Sequence, residues 1–319
     1  MYQHCLIALL LVVFLVGCTA PPPEKADQDP NVTPEGVRIT PDVIYGHKFG
    51  MALTFDMYQP QNQNGAGVIW INSGGFRSFL PNFYKQTTDG LRLATLDDYE
   101  QMTPPLRDVN ITQLLTRGFT VFAVRHGSSP KFDLAEIVSD LRRAVRFIRF
   151  HASDYGIDAE RLGLWGGSAG GHLALFLGNT AEIGNSEAAE EFEKDTGRVA
   201  AVVAYFPLSD LIKQVANDEQ NASFTPATPI LQNMTEEQLG EFSPINQISS
   251  DDPPTLIVHG DKDTEVPINQ GESMHQALLK AGIESKFITI SGAGHGFEGK
   301  DADRALAEAI SWFEEHLID

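Results

Sequence analysis

Leu162-Gly163-Leu164-Trp165-Gly166-Gly167-Ser168-Ala169-Gly170-Gly171-His172-Leu173-Ala174-Leu175-Phe176-Leu177 changes character at a single residue. Leu162 to Trp165 is a short apolar run of the kind that forms a buried strand. Ala169 to Leu177 reads as a helix. Between them, Gly166 to Gly170 matches G-x-S-x-G. Alone, five residues of this kind are weak evidence, because glycine and serine are common. Set between a strand and a helix, they form the sharp bend that holds a serine hydroxyl out as a nucleophile. The bend strains Ser168, and side chains in place of the flanking glycines would strike strand and helix. The hydroxyl also stands at a helix N-terminus, where the dipole favours a developing anion. The alternative, a flexible glycine-rich turn, does not explain the elements on either side.

The same alternation of strand and helix runs outward from this point and argues for a mostly parallel sheet flanked by helices. Leu53 to Tyr58 alternates apolar and polar residues like an edge strand. Gly67 to Ile71 and Phe119 to Val124 are buried-strand runs, and Val199 to Phe206, Thr255 to Val258 and Lys286 to Ile290 complete the set. Asp133 to Phe150 is a helix with one apolar face, Leu134, Ile137, Val138, Leu141, Val145 and Ile148. Asp133 and Glu136 have the spacing of a capping box. Asn269 to Lys280 and Asp301 to His316 are further helices. Two stretches, residues 76–110 and 208–250, exceed ordinary connections. They are expected to be insertions that cover or wall a substrate site; the alternative is surface decoration.

A serine hydroxyl needs a base. His295, in Ser291-Gly292-Ala293-Gly294-His295-Gly296-Phe297, follows a strand near the C-terminus, and the order serine, acid, histidine suits a nucleophile on such a bend. The acid is sought at the end of a strand between them, in His259-Gly260-Asp261-Lys262-Asp263-Thr264-Glu265-Val266-Pro267. Asp261 and Asp263 both qualify on position. Either carboxylate would fix the imidazole tautomer and stabilise the imidazolium. Asp261 could equally cap the turn. An oxyanion is expected to meet the N–H of Ala169 and one from the loop Asn72-Ser73-Gly74-Gly75-Phe76.

The 319 residues permit one large domain or two small ones. A formal net charge of −20 argues against nucleic acid, whose binding rests on neutralising phosphates. It favours a neutral substrate, such as an ester or a carbohydrate, over an anionic one. Leu6 to Val16 is an apolar run of eleven, the length of a signal-peptide core and short for a membrane span. It ends in Leu15-Val16-Gly17-Cys18, which resembles a bacterial lipobox. That resemblance implies a signal over residues 1–17, lipidation of Cys18 and a membrane anchor outside the cytoplasm; the alternative is an ordinary secretory signal. Residues 18–36, with five prolines, read as an extended tether ahead of a domain at 37–319. Once Cys5 leaves with the signal and Cys18 is capped, the domain has no free thiol and no disulfide.

Taken together, Val68 to Phe76, Tyr155 to Ala174, Pro253 to Pro267 and Gly294 to Phe297 resemble the hormone-sensitive-lipase-like carboxylesterases and the bacterial acetyl- and feruloyl-esterase-like hydrolases. The resemblance spans residues 50 to 317. It implies the α/β-hydrolase fold, with helices on both faces of the sheet, and ester cleavage through an acyl-enzyme with no metal or cofactor. It implies Ser168 as nucleophile, His295 as base, Asp263 as acid, and Gly74, Gly75 and Ala169 as oxyanion donors. The chain departs from the family's HGGG loop at Asn72 and Ser73, which bears on loop support and leaving-group preference. The expected substrate is a small ester or an acylated extracellular carbohydrate. Two other readings compete. One is a peptidase related to the prolyl-oligopeptidase catalytic domain, although no propeller precedes this domain. The other is a non-catalytic binding module, which would have no need of all three of Ser168, Asp263 and His295.

Overall fold

Strands that are buried at every position need cover on both faces, and the middle of this sheet is built from them. In the computed structural model, which describes residues 29, 31–78, 84–87, 90–93, 111–220 and 230–318, the chain opens with β1 (Arg38–Lys48) and β2 (Met51–Gln59). Next come β3 (Gly67–Ile71), the short pair β4 (Tyr84–Thr87) and β5 (Gly90–Leu93), helix α1 (Thr112–Thr116) and β6 (Thr120–Val124). Helix α2 (Leu134–Phe150), β7 (Leu162–Gly167), α3 (Ala169–Asn179) and β8 (Ala201–Tyr205) form the middle. The chain closes with α4 (Leu211–Gln220), α5 (Glu236–Glu241), β9 (Thr255–Gly260), α6 (Asn269–Ala281), β10 (Ser285–Ile290) and α7 (Lys300–Leu317).

The eight-stranded sheet has the order β1-β2-β6-β3-β7-β8-β9-β10. From β6 to β10 all neighbours are parallel; β2 is antiparallel to β6 and to β1. Alternate residues of each strand feed two cores. Ile69 and Ile71 of β3 pack with α2, α3 and α6, whereas Val68 and Trp70 pack with α1 and α7 on the other face. This is the α/β-hydrolase arrangement. The α2 N-terminus carries the expected capping box, with Asp133 accepting from Glu136 N and Glu136 accepting from Asp133 N.

Two expectations need correction. Leu53 to Tyr58 lies in β2, the second strand, and the edge belongs to β1. Pro41, Gly46 and two register shifts hide the period-two pattern of β1 from a sequence reading. The proposed tether also ends earlier than residue 36. Thr33 is buried, Val32 bridges Arg38, and Ile39 N donates to Asn31 O, so residues 31–36 pack onto β1. The signal at 1–17, Cys18 and the tether up to residue 28 lie outside the described residues. Within 208–250, the helices α4 and α5 send Leu211 and Leu239 into the main core beside Leu208, Ile230 and Leu231.

Candidate active site

β7 ends in the middle of the sheet, and its last residues turn sharply into α3. Ser168 stands on that turn at φ 54° and ψ −123°, backbone that only a well-held residue adopts, at a cost of about 1–3 kcal/mol. Its N–H donates to Tyr205 O at 2.9 Å. The glycines around it are required by close approach. A Cβ at Gly166 would fall on the carbonyl of Gly170, and one at Gly170 would stand 2.6 Å from Ile71 O.

The loops after β9 and β10 open on the same edge of the sheet. His295 Nε2 is 2.9 Å from Ser168 Oγ, and its Nδ1 is 2.8 Å from Asp263 Oδ2. The carboxylate accepts only, so Nδ1 carries the proton and Nε2 is left to accept from the serine hydroxyl. Asp263 Oδ1 accepts from the backbone N–H groups of Glu265 and Val266, each at 2.9 Å. Burial by itself would raise the Asp263 carboxyl, but the hydrogen bonds from His259, His295 and the Val266 backbone outweigh it and hold it well below the usual range. Asp263 therefore stays ionised. Asp261, equal to it on sequence position, instead accepts from Gly292 N at 2.6 Å and ties the His295 loop to the end of β9.

Of the three expected oxyanion donors, the structure leaves two available. The N–H groups of Gly75 and Ala169 have no acceptor among the described residues. Gly74 does not belong with them, because its N–H donates to Arg77 O at 3.0 Å and Arg77 N returns a bond to Gly74 O. That reciprocal pair closes a tight turn over Gly75 and Phe76, whose φ values of 56° and 58° are the positive pair that such a two-residue turn needs. Phe76 tolerates this backbone because its side chain is fully buried, edge-on to His172 at 5.3 Å, and its carbonyl accepts from Ser129 N. The departures Asn72 and Ser73 are both buried. Ser73 O accepts from Gly170 N at 3.1 Å, which joins the donor loop to the first turn of α3.

Three residues escaped the sequence reading. Phe206, at φ 35° just beyond β8, lays its ring against the His295 ring at 4.7 Å and walls that side of the site. His172, fully buried, donates from Nδ1 to Leu208 O and so binds α3 to the loop that carries Phe206. His259 stands behind Asp263. A histidine ending a strand and a phenylalanine ending another look like ordinary core residues in sequence. Among the described residues, one group has metal-ligand spacing, Glu284, Glu315 and His316. It lies at the opposite edge of the sheet, where β10 begins.

The chain is similar to Esterase LipQ of Mycobacterium tuberculosis, 28% identical over 210 residues that cover 64% of this chain and 49% of the relative. It is also similar to "Uncharacterized peptidase YuxL" of Bacillus subtilis, 29% identical over 87% of this chain and 33% of the relative. The chain thus spans about half of the first relative's length and a third of the second's. Its fold matches that of an acetyl ester-xyloside bifunctional hydrolase from Caldicellulosiruptor lactoaceticus, with TM-score 0.67, 19% identity, and 89% of this chain and 97% of that one covered. The BD-FAE family profile matches residues 96–278, which include Ser168 and Asp263 and make up more than half of the sequence, and the chain belongs to that family.

Proposed function

We propose that this protein is a serine hydrolase that cleaves carboxylic esters through an acyl-enzyme, with acetyl groups on carbohydrate outside the cytoplasm as its substrate class. The observation that carries the reading is the unbroken line from Ser168 Oγ through His295 to Asp263, with the N–H groups of Ala169, next to Ser168 in the chain, and Gly75 without an acceptor among the described residues. In this reading His295 Nε2 takes the hydroxyl proton as Oγ bonds to the ester carbonyl carbon. The carbonyl oxygen becomes an oxyanion and accepts from the Gly75 and Ala169 N–H groups, each such donor worth about a hundredfold or more in rate. Collapse breaks the bond to the alcohol oxygen, which leaves with the proton from His295. Water then bonds to the acyl carbon as its proton passes to His295, and collapse breaks the bond to Ser168 Oγ, which takes that proton back, so that the acid and free Ser168 are released. Asp263 remains charged throughout and stabilises the imidazolium.

Support for the substrate class comes from charge, from topology and from the names of the relatives. A net charge of −20 suits a neutral ester. The relatives and neighbours named above include an esterase and an acetyl ester-xyloside hydrolase. If Cys18 carries a lipid, the tether joins the domain at the N-terminal end of β1. β1 runs parallel to β6, so that end lies at the sheet edge opposite Ser168. An attachment there would leave the end of the sheet that carries Ser168 unobstructed by the tether. The similarity to YuxL keeps a peptidase as the second reading.

The deciding experiment offers the detergent-extracted chain p-nitrophenyl acetate, acetylated xylan and a peptide p-nitroanilide. Ester turnover with acetate release from the polysaccharide is expected. Turnover of the anilide alone would establish the peptidase instead. Labelled palmitate should enter the chain and be absent from Cys18→Ser; its persistence in that variant would overturn the anchor.

A further inference from the structure

Two histidines meet the Asp263 carboxylate, and the hydrolytic reading uses only one of them. His259, fully buried at the C-terminal end of β9, brings Nε2 to 3.4 Å from Oδ2, the oxygen that His295 engages. The same Nε2 is 2.8 Å from the carbonyl oxygen of Val266. Both neighbours are acceptors, so Nε2 carries the imidazole proton. Nδ1 then holds a lone pair, is buried without a partner among the described residues, and faces Gly271 of α6, where a Cβ would stand 2.8 Å away. Val266 closes a ring. Its N–H donates to Asp263 Oδ1 while its carbonyl accepts from His259.

We propose that His259 is a positioning residue for the acid: its Nε2–H, directed at Val266 O and toward Asp263 Oδ2, fixes the 260–267 loop so that Oδ2 meets His295 Nδ1. The proposal rests on the hydrolytic reading of Ser168, His295 and Asp263. His259 touches none of the reacting atoms. It ties the far side of the loop to β9, one peptide away from the N–H groups that grip the carboxylate. Without that donor the Val266 carbonyl would be a buried acceptor with no partner, and it would turn to seek another. That turn would pass through the Val266 Cα to the neighbouring Glu265–Val266 peptide, whose N–H grips the carboxylate, and the carboxylate would follow. Gly271 lets α6 lie against the imidazole and hold its ring plane.

The test uses the full-length chain. Long-range ¹⁵N–¹H correlation on the wild type should find His259 as the Nε2–H tautomer; the Nδ1–H tautomer would overturn the proposal without recourse to any variant. His259→Leu should lower kcat for p-nitrophenyl acetate by about tenfold or more with KM within about twofold, and should shift or broaden the His295 Nδ1–H resonance. His259→Gln, whose side-chain amide can still donate to Val266 O, should recover kcat to within about threefold of wild type. Equal losses in the two variants, or a folded His259→Leu with unchanged kcat and an unchanged His295 resonance, would overturn it. If the wild type neither turns over ester nor takes a fluorophosphonate label, the hydrolytic reading fails instead. The tautomer and the His295 resonance then still decide the placement of Asp263.

Discussion

His295 Nδ1 and Asp263 Oδ2 stand 2.8 Å apart although 32 residues separate them in the chain, while Asp261, two residues before Asp263, has its oxygens on Gly292 N and Ser291 Oγ. The two aspartates therefore have different work. Asp263→Asn should cut kcat by about 10⁴, as loss of the orienting carboxylate does in serine hydrolases. Asp261→Asn should cost less than about tenfold, through a looser His295 loop. Steady-state kinetics on p-nitrophenyl acetate compares them, and a larger loss in the Asp261 variant would exchange their roles.

Ser168→Ala should remove both ester turnover and fluorophosphonate labelling while leaving the fold intact, because Ala occupies the space of the serine side chain without its oxygen. The residual rate should lie about 10⁴-fold or more below wild type. Labelling that survives in this variant would place the nucleophile elsewhere.

The glycines of the turn should not be equivalent. Gly166→Ala puts a methyl group onto the Gly170 carbonyl, and backbone cannot step aside. A loss above about 3 kcal/mol, or failure to fold, is expected. Gly167→Ala meets the Phe206 ring at 3.1 Å, which can shift by a few tenths of an ångström, so about 1 kcal/mol is expected. Urea unfolding of the two variants checks the order.

Stability should fall as the solution is acidified below neutrality. Burial pushes His126 and His172 down to about 4, from 6.5. Between those values the unfolded chain binds protons that the folded chain refuses, so stability is full above about pH 6.5 and is lost as pH falls toward 4. Each histidine should contribute a loss of about 2 kcal/mol between pH 7 and pH 5. Asp263, held low, contributes no slope there, because its carboxyl is ionised in both states. Asp140 and Asp252, raised by burial, work in the opposite sense, favouring the folded chain as pH falls. Urea midpoints at the two pH values should show the drop, and His126→Gln should remove about half of it.

Much of the fold is written in local pattern. The five-residue bend around Ser168, the capping box at Asp133 and Glu136 and the mostly apolar runs of β3, β6, β8 and β9 each follow from near neighbours in the chain. Such features depend on backbone sterics and on side chains three or four residues apart, so they can be read without knowing what lies across the sheet. β1 could not be read this way. Its bulges and Pro41 break the alternation, and only pairing with β2 makes it a strand.

The sequence by itself determined the strand–turn–helix at Ser168, the candidate base at His295 and the two aspartates beside each other after β9. Residue position alone left both aspartates open and the family resemblance pointed to Asp263; only the tertiary structure showed its carboxylate meeting His295, took Gly74 out of the donor set and brought Phe206 and His259 to the site. The reason is physical. Ser168, His295 and Asp263 come from three loops that meet because parallel strands end on one edge, and a hydrogen bond across that edge depends on distances no local pattern encodes. Gly74 resembles a donor in sequence, yet its N–H belongs to Arg77 once the turn over Gly75 and Phe76 closes.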